Sequence, residues 1–433
     1  MKNRLTLLFG LLALSVFAQE KLTLEAAIQM ALEKNFDVLI QKNAQQAAVI
    51  NNNWGYAGAL PSLTLSGSEG ISSASLDQKL SNGTETSRNG VVQSNSSAGL
   101  NVSWKIFDGL KMFATKKRLE ELETVGELNF RSQMNMTVYN VIAAYYQMVQ
   151  LYQEKKALSE TIRYFSERED IAKSRFSIGT APKTDLLQAQ VDLNQQKGNL
   201  LTVENNIRVA KSNFNHLLAR VPETAFEVQD IIEPDTTVDF SVLQQKAQTD
   251  NYDLLLAKSS LSILVQQRKE IRALRLPSVT LNGGLNLSQN MSAAGLTLLN
   301  RTVGPGGSVG INIPLFQGNA VRTQQRAAEA GIRGQELSID RLKNQVQTNL
   351  INAYYNFQNA LNLVTLEKNT LKLIEENNVI ATERFRKLAI TSLELRQIQV
   401  DYITGQTAYI NALYAAKLAE AEMKLLAGVL TNL

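Results

Sequence analysis

The sequence contains no cysteine in its 433 residues. Disulfides therefore cannot hold the fold together, and thiol catalysis, thiolate-bound zinc and a lipid-modified cysteine are excluded. There is one histidine, His216, beside Leu217 and Leu218 in a helical pattern. A catalytic or metal-binding role would need convergent partners, so it reads as a packing or polar-seam residue. Long apolar runs are missing too: beyond the first residues no segment has the ~18 consecutive apolar positions of a membrane-spanning helix, so a chain that crosses a bilayer must do so as strands. Charge of one sign is also lacking. Lys and Arg number 44 against 40 Asp and Glu, a formal charge of +4, which argues against a nucleic-acid partner. The glycine-rich "GPGG" (304–307) is read in a loop before a strand rather than between a strand and a helix, which fails the context test for nucleotide binding. No catalytic cluster, metal site or cofactor motif can be assembled, so the chain is read as a non-enzyme that needs no cofactor.

The first residues carry Lys2 and Arg4, an apolar run from Leu5 to Phe17, and a small-residue cleavage site at Ala18 before Gln19. Residues 1–18 are expected to be a secretory signal peptide that is removed, leaving a formal charge of +2. An uncleaved anchor is the alternative, but the apolar run is only about 13 residues.

What is present is written twice. "LPSLTLSG" (60–67) returns as "LPSVTLNG" (276–283), "WKIFDG" (104–109) as "IPLFQG" (313–318), "AAYYQ" (143–147) as "NAYYN" (352–356) and "IAKSRF" (171–176) as "IATERF" (380–385). The last three pairs share an offset of 209 residues. The expected organisation is a first repeat over 19–219, a linker over 220–240 that is acidic and holds two prolines, and a second repeat over 241–433. Each repeat is predicted to run helix (Leu24 to about Trp54; Val242 to about Leu274), strand, polar loop, strand, very long helix, turn and helix.

The strands alternate. Leu100, Val102, Trp104 and Ile106 are interleaved with Asn101, Ser103 and Lys105; Val279, Leu281, Leu285 and Leu287 with Thr280, Asn282 and Asn286; Val309, Ile311, Ile313 and Leu315 with Gly310, Asn312 and Pro314. One face is apolar. The other is Asn, Ser, Thr and Gly, as in a barrel with a wet lumen and a lipid-facing exterior. A half-buried sheet on a soluble core is the plainer reading. The segments 76–95 and about 290–308 are expected to be long exposed loops. Four strands cannot enclose an open lumen, because even eight leave an interior that side chains fill; a pore must be shared by several chains.

Between Leu110 and Phe176 there is no proline and one glycine, Gly126. A helix of that length extends about 100 Å and needs lateral partners. The return segment supplies them: Leu186, Leu193, Leu200, Ile207 and Phe214 recur every seven residues, with Ala189, Val203, Ala210 and Leu217 on the second seam position and Gln196 as the exception. The second repeat keeps the seam with Leu395, Tyr402, Tyr409, Ala416 and Met423, and with Ile398, Gly405, Ala412, Ala419 and Leu426. Additional apolar positions at Ile403, Ile410 and Leu413 give each helix neighbours on more than one side. The tyrosine pairs Tyr145-Tyr146 and Tyr354-Tyr355 are read as helix-packing residues.

Together the leader, the opening "LTLEAAIQMALEKN" (22–35), the two "LPS" strand starts, the "FDG" and "FQG" strand ends and the turn "RFSIGTAPKTDLLQAQ" (175–190) resemble the TolC-type outer-membrane factors of Gram-negative bacteria over essentially the whole mature chain. The resemblance implies a mainly α fold with a small β part: long coiled-coil helices forming an α-barrel tunnel, and four strands per chain in a shared trimeric twelve-stranded transmembrane β-barrel. It implies a homotrimer in outer-membrane lipid that extends into the periplasm, a periplasmic adaptor (membrane fusion) protein, and an inner-membrane efflux or secretion transporter that supplies the energy. It places Gly179, Thr184 and Asp185 at one periplasmic tip and Thr391, Glu394 and Gln397 at the other. Acidic residues at the second tip line the closed aperture in such channels. Here Gln397 stands where a second acid is expected, so a single ring of Glu394 is the expected constriction; the alternative is a helix-capping Glu394 with Arg396 nearby. The runner-up for the whole chain is a coiled-coil periplasmic scaffold or adhesin without pore activity.

Overall fold

The long stretches without proline become the two longest helices. In a computed structural model, which describes residues 20–229 and 231–432, the order is β1 (Glu20–Lys21), α1 (Leu24–Lys34), α2 (Phe36–Asn51), β2 (Ser62–Lys79), β3 (Glu85–Phe107), α3 (Lys111–Ser177), α4 (Lys183–Leu217), β4 (Phe226–Glu227), α5 (Phe240–Thr249), α6 (Tyr252–Ala273), β5 (Ser278–Ser292), β6 (Leu299–Asn312), α7 (Ala320–Arg386) and α8 (Ser392–Leu426). The signal peptide expected over 1–18 lies outside the described residues. Helices α3 and α7 have 67 residues each, α4 and α8 have 35 each. Among the described residues no helix is long and apolar enough to cross a membrane. The contacts divide the chain into two compact units.

One unit comprises Lys42–Asn129 and Asp253–Leu342 and holds an antiparallel sheet in the order β2-β3-β5-β6. The strands are longer than the sequence suggested. The expected loop over 76–95 is a hairpin whose turn closes between Leu80 and Thr84, with β2 reaching Lys79 and β3 starting at Glu85. Serine and glycine conceal this run, since β propensity is low there while ladder pairing decides. The expected loop near 290–308 is likewise mostly strand, and "GPGG" lies inside β6, with Pro305 opposite Leu285. Proline lacks the N–H that a central strand needs, but β6 is an edge strand of this sheet. Ile313 falls just beyond the end of β6 at Asn312, and Leu315 also lies outside it. Ile106 sits at a register shift between Lys105 and Phe107. Below the sheet ends, Asp108 accepts from Met112 N–H at 2.9 and 3.1 Å and so caps α3. Arg118 pairs with Glu270 at 2.7 Å, and Gly126 lets α3 lie against Gln45 and Ala48 of α2.

The other unit comprises the residues up to Gln41, Phe130–Tyr252 and those from Lys343 onward. The expected first helix (24 to about 54) is divided by Asn35, whose Oδ1 accepts from the N–H of Asp37 and Val38 at 2.9 and 3.2 Å while its Nδ2 donates to Leu217 O at 2.8 Å. Its counterpart expected over 242–274 is divided in the same way, into α5 and α6. The core gathers Leu22, Ala27, Ala31, Val141, Tyr145, Met148, Phe214, Leu218, Phe226 and Ile232. Phe226 and Ile232 come from the 220–240 segment, which is therefore pinned and not a free tether; β4 also pairs in parallel with β1. The heptad seam is buried at Ala189, Leu193, Gln196, Val203, Ile207 and Phe214, and at Leu395, Tyr402, Gly405, Ala412, Ala416, Ala419 and Met423. His216 is exposed, so it neither packs nor sits in a seam. Tyr145 and Tyr146 pack edge to face, 5.6 Å apart, whereas Tyr354 stacks on Phe240 at 4.3 Å and Tyr355 is exposed.

Candidate functional site

The strand register sorts the side chains of the sheet onto two faces. Leu65, Leu100, Leu285 and Pro305 form one cross-strand row, Trp104, Leu281 and Val309 another, and Val279 and Ile311 a third, all on the same face. These apolar side chains are half-buried or exposed, Val309 and Ile311 by about two-thirds. The opposite face carries Thr64, Asn101, Ser103, Asn282, Asn286 and Ser308, and several of the polar side chains on this face bond to one another. Ser103 Oγ donates to Asn282 Oδ1 at 2.9 Å, Asn101 Nδ2 to Ser66 Oγ at 3.3 Å, and the hydroxyls of Ser68 and Ser97 meet at 2.8 Å.

The apolar rows run from Val279–Ile311 to Leu287–Val303, after which a polar row of Glu69, Ser96, Gln289 and Arg301 crosses the same face. At ~3.3 Å per residue and a strand tilt near 40°, that apolar stretch is about 20 Å high, close to the ~25 Å band of a membrane barrel. An exposed apolar face of this extent has no place on a soluble sheet.

The helix turns lie in the other unit. Between α3 and α4 the chain reverses over 178–182, with Gly179 at φ 76°. Thr184 and Asp185 lie inside the first turn of α4, whose N-cap, Pro182, makes no side-chain bond. Between α7 and α8 the matching residue is Leu388, with φ 60°. Thr391 caps α8 by accepting from Glu394 N–H at 3.2 Å, and Glu394 Oε2 accepts in return from Thr391 N–H at 2.8 Å and Oγ1–H at 3.0 Å. These hydrogen bonds, aided by the nearby Arg384 charge, hold the exposed Glu394 carboxyl below the ordinary carboxylate range. Gln397 donates to Asp401 at 2.8 Å. Arg396, expected as a nearby charge partner of Glu394, pairs instead with Asp192 of α4 at 3.0 Å.

Asp192 belongs to a cluster that the sequence reading missed. Arg168 of α3, only 1% exposed, ion-pairs with Asp192 and donates to Gln399 of α8 at 3.3 Å; Gln188 donates to Asp192 at 2.8 Å. Burial pulls the Arg168 pKa down and Asp192 opposes it. Three helices from both repeats are thus tied through one buried carboxylate. On the neighbouring surface Arg386 pairs with Glu167 and, at 2.5 Å, with Glu383. No local motif announces the buried cluster, because its members are 24 and more than 200 residues apart. The capping box was readable, since "TSLE" (391–394) has the S/T-x-x-E spacing. The described residues contain no group of His, Cys, Asp and Glu able to hold a metal ion.

Comparison with known proteins agrees with this architecture. The profile of the family described as outer membrane efflux protein matches residues 27–220 and 243–429. The toxin and drug export protein A of Aggregatibacter actinomycetemcomitans is 24% identical over 352 residues, covering 78% of this chain and 72% of that protein. Among solved structures, the outer membrane protein VceC of Vibrio cholerae superposes with a TM-score of 0.74 at 18% identity, over 94% of this chain and 96% of that one. The CmeC outer membrane channel of Campylobacter jejuni gives 0.76 at 16% identity, over 94% and 85%. The chain belongs to the outer membrane efflux protein family, a family of outer-membrane channel proteins.

Proposed function

We propose that this chain is the outer-membrane exit duct of a tripartite efflux pump or type I secretion system: a passive conduit, driven by an inner-membrane transporter through a periplasmic adaptor. The observation that carries the reading is the two-faced sheet with both edges open. Its apolar face suits lipid, its amide and hydroxyl face suits water, and four strands are too few to enclose a lumen. Three copies give the twelve strands of a shared barrel, so the working form is a homotrimer. Its mass in detergent tests this: three chains per particle are expected, and a stable single-chain particle contradicts it.

The two helix turns are the docking points for the adaptor, at Gly179, Thr184 and Asp185 in one repeat and at Thr391, Glu394 and Gln397 in the other. Glu394, one per subunit, forms the constriction ring. Capping α8 occupies one of its carboxylate oxygens, Oε2, and the charge kept by the lowered pKa suits a cation-attracting ring. Glu394→Ala is expected to weaken block of the single-channel current by divalent cations. Unchanged block removes Glu394 from the constriction.

A further inference from the structure

The repeat lets one junction inside the chain be compared with its vacant counterpart. Where β3 ends and β5 begins, Gly109 (φ 72°) faces the segment before β5, and a Cβ placed on it would lie 2.6 Å from Ala273 O and 2.7 Å from Leu276 Cβ. The missing side chain is what lets the two halves close there. Its equivalent at the end of β6 is Gly318, also left-handed at φ 59°, but nothing stands within 4 Å of a Cβ at that position. The residues before it are correspondingly bare: Leu315 and Phe316 are 93% and 80% exposed, against 43% and 36% for their counterparts Ile106 and Phe107.

The segment that would fill this vacancy is present at the other edge of the same sheet. "LPS" at 60–62 repeats "LPS" at 276–278, so Ala57 and Leu60 are the equivalents of Ala273 and Leu276. Leu60 is 61% exposed. Strand β6 ends at Asn312 and β2 begins at Ser62, on the two open edges of the sheet. Antiparallel pairing of β6 of one copy with β2 of the next therefore brings residues 313–318 beside residues 57–61.

We propose that residues 313–318 of one copy clasp residues 57–60 of a second copy, with Gly318 admitting the partner's backbone as Gly109 admits Ala273. The interface is heterologous, so each copy offers one half of the clasp at each edge and a ring results. The inference rests on the shared-barrel reading above and adds the contact that closes it.

Two variants test it in detergent-purified protein. Asparagine tolerates a positive φ, so Gly318→Asn preserves the chain's own turn while filling the space reserved for the neighbour. It is expected to move most of the protein from trimer to monomer with the helical circular-dichroism signal retained. Because the chain has no cysteine, Leu63→Cys combined with Phe316→Cys, the counterparts of the cross-strand pair Val279 and Phe107, is expected to give oxidised bands at two and three times the chain mass, and neither single variant should do so. Gly318→Asn trimers as abundant as wild type, together with no cross-linked bands from the double variant, would overturn the clasp while leaving the duct intact. A monomeric wild-type chain would overturn both.

Discussion

Leu388 carries a left-handed backbone where the first repeat uses glycine: φ is 60° at Leu388 and 76° at Gly179. A side chain in that region costs roughly 1–2 kcal/mol, and glycine gives back about 0.4–1 kcal/mol through the unfolded chain. Leu388 is 60% exposed, so little burial is at stake. Leu388→Gly is expected to stabilise the turn, read as slower hydrogen exchange at its amides; faster exchange would mean that the side chain is held by a contact. Six residues on, Glu394 has a lowered pKa, so its cap contributes above the ordinary glutamate pKa and is lost as pH falls through the lowered value. Exchange at the start of α8, corrected for intrinsic rates, should therefore rise on acidification and be pH-independent in Glu394→Ala. The buried cluster sets a larger effect. Asp192→Ala leaves Arg168 without its carboxylate and facing Arg396, which should cost about 3 kcal/mol or more in denaturant unfolding. Arg168→Met combined with Asp192→Leu should recover most of it.

At the scale of elements, helices were far more legible than strands. The span without proline from Leu110 to Phe176 became α3 with its ends displaced by a single residue, since nothing local interrupts it and the seam gives it partners. The turn at Gly179 was equally plain, but Leu388 concealed the second turn's strain. Strand ends were misjudged because Ser, Gly and Asn carry β2 and β3 through the span read as a loop, and no side-chain period marks them. The division of the first helix at Asn35 depends on a bond to Leu217 O, a contact 182 residues away. For the two helix turns, the family resemblance named candidate residues, but the sequence could not show that Arg396 turns to Asp192, because that choice belongs to packing. Gly198 of α4, like Gly331 and Gly334 of α7, has no steric reason to persist within the chain: a Cβ there meets nothing within 4 Å. Gly198→Ala is expected to stabilise α4 by about 0.8–1 kcal/mol; a loss instead would place another surface against it.

For the whole molecule, the repeat, the two-faced sheet and the paired helix turns converge on one account: a channel protein of the outer membrane efflux family whose pore exists only when several chains combine. Among the described residues nothing in a single copy closes the sheet, and its amide and hydroxyl face gives water a path only within a ring. The most direct test is planar-bilayer conductance of the detergent-purified protein. The account predicts discrete, small, cation-preferring current steps from the trimer fraction; a water-soluble protein that gives no current at any voltage would contradict it.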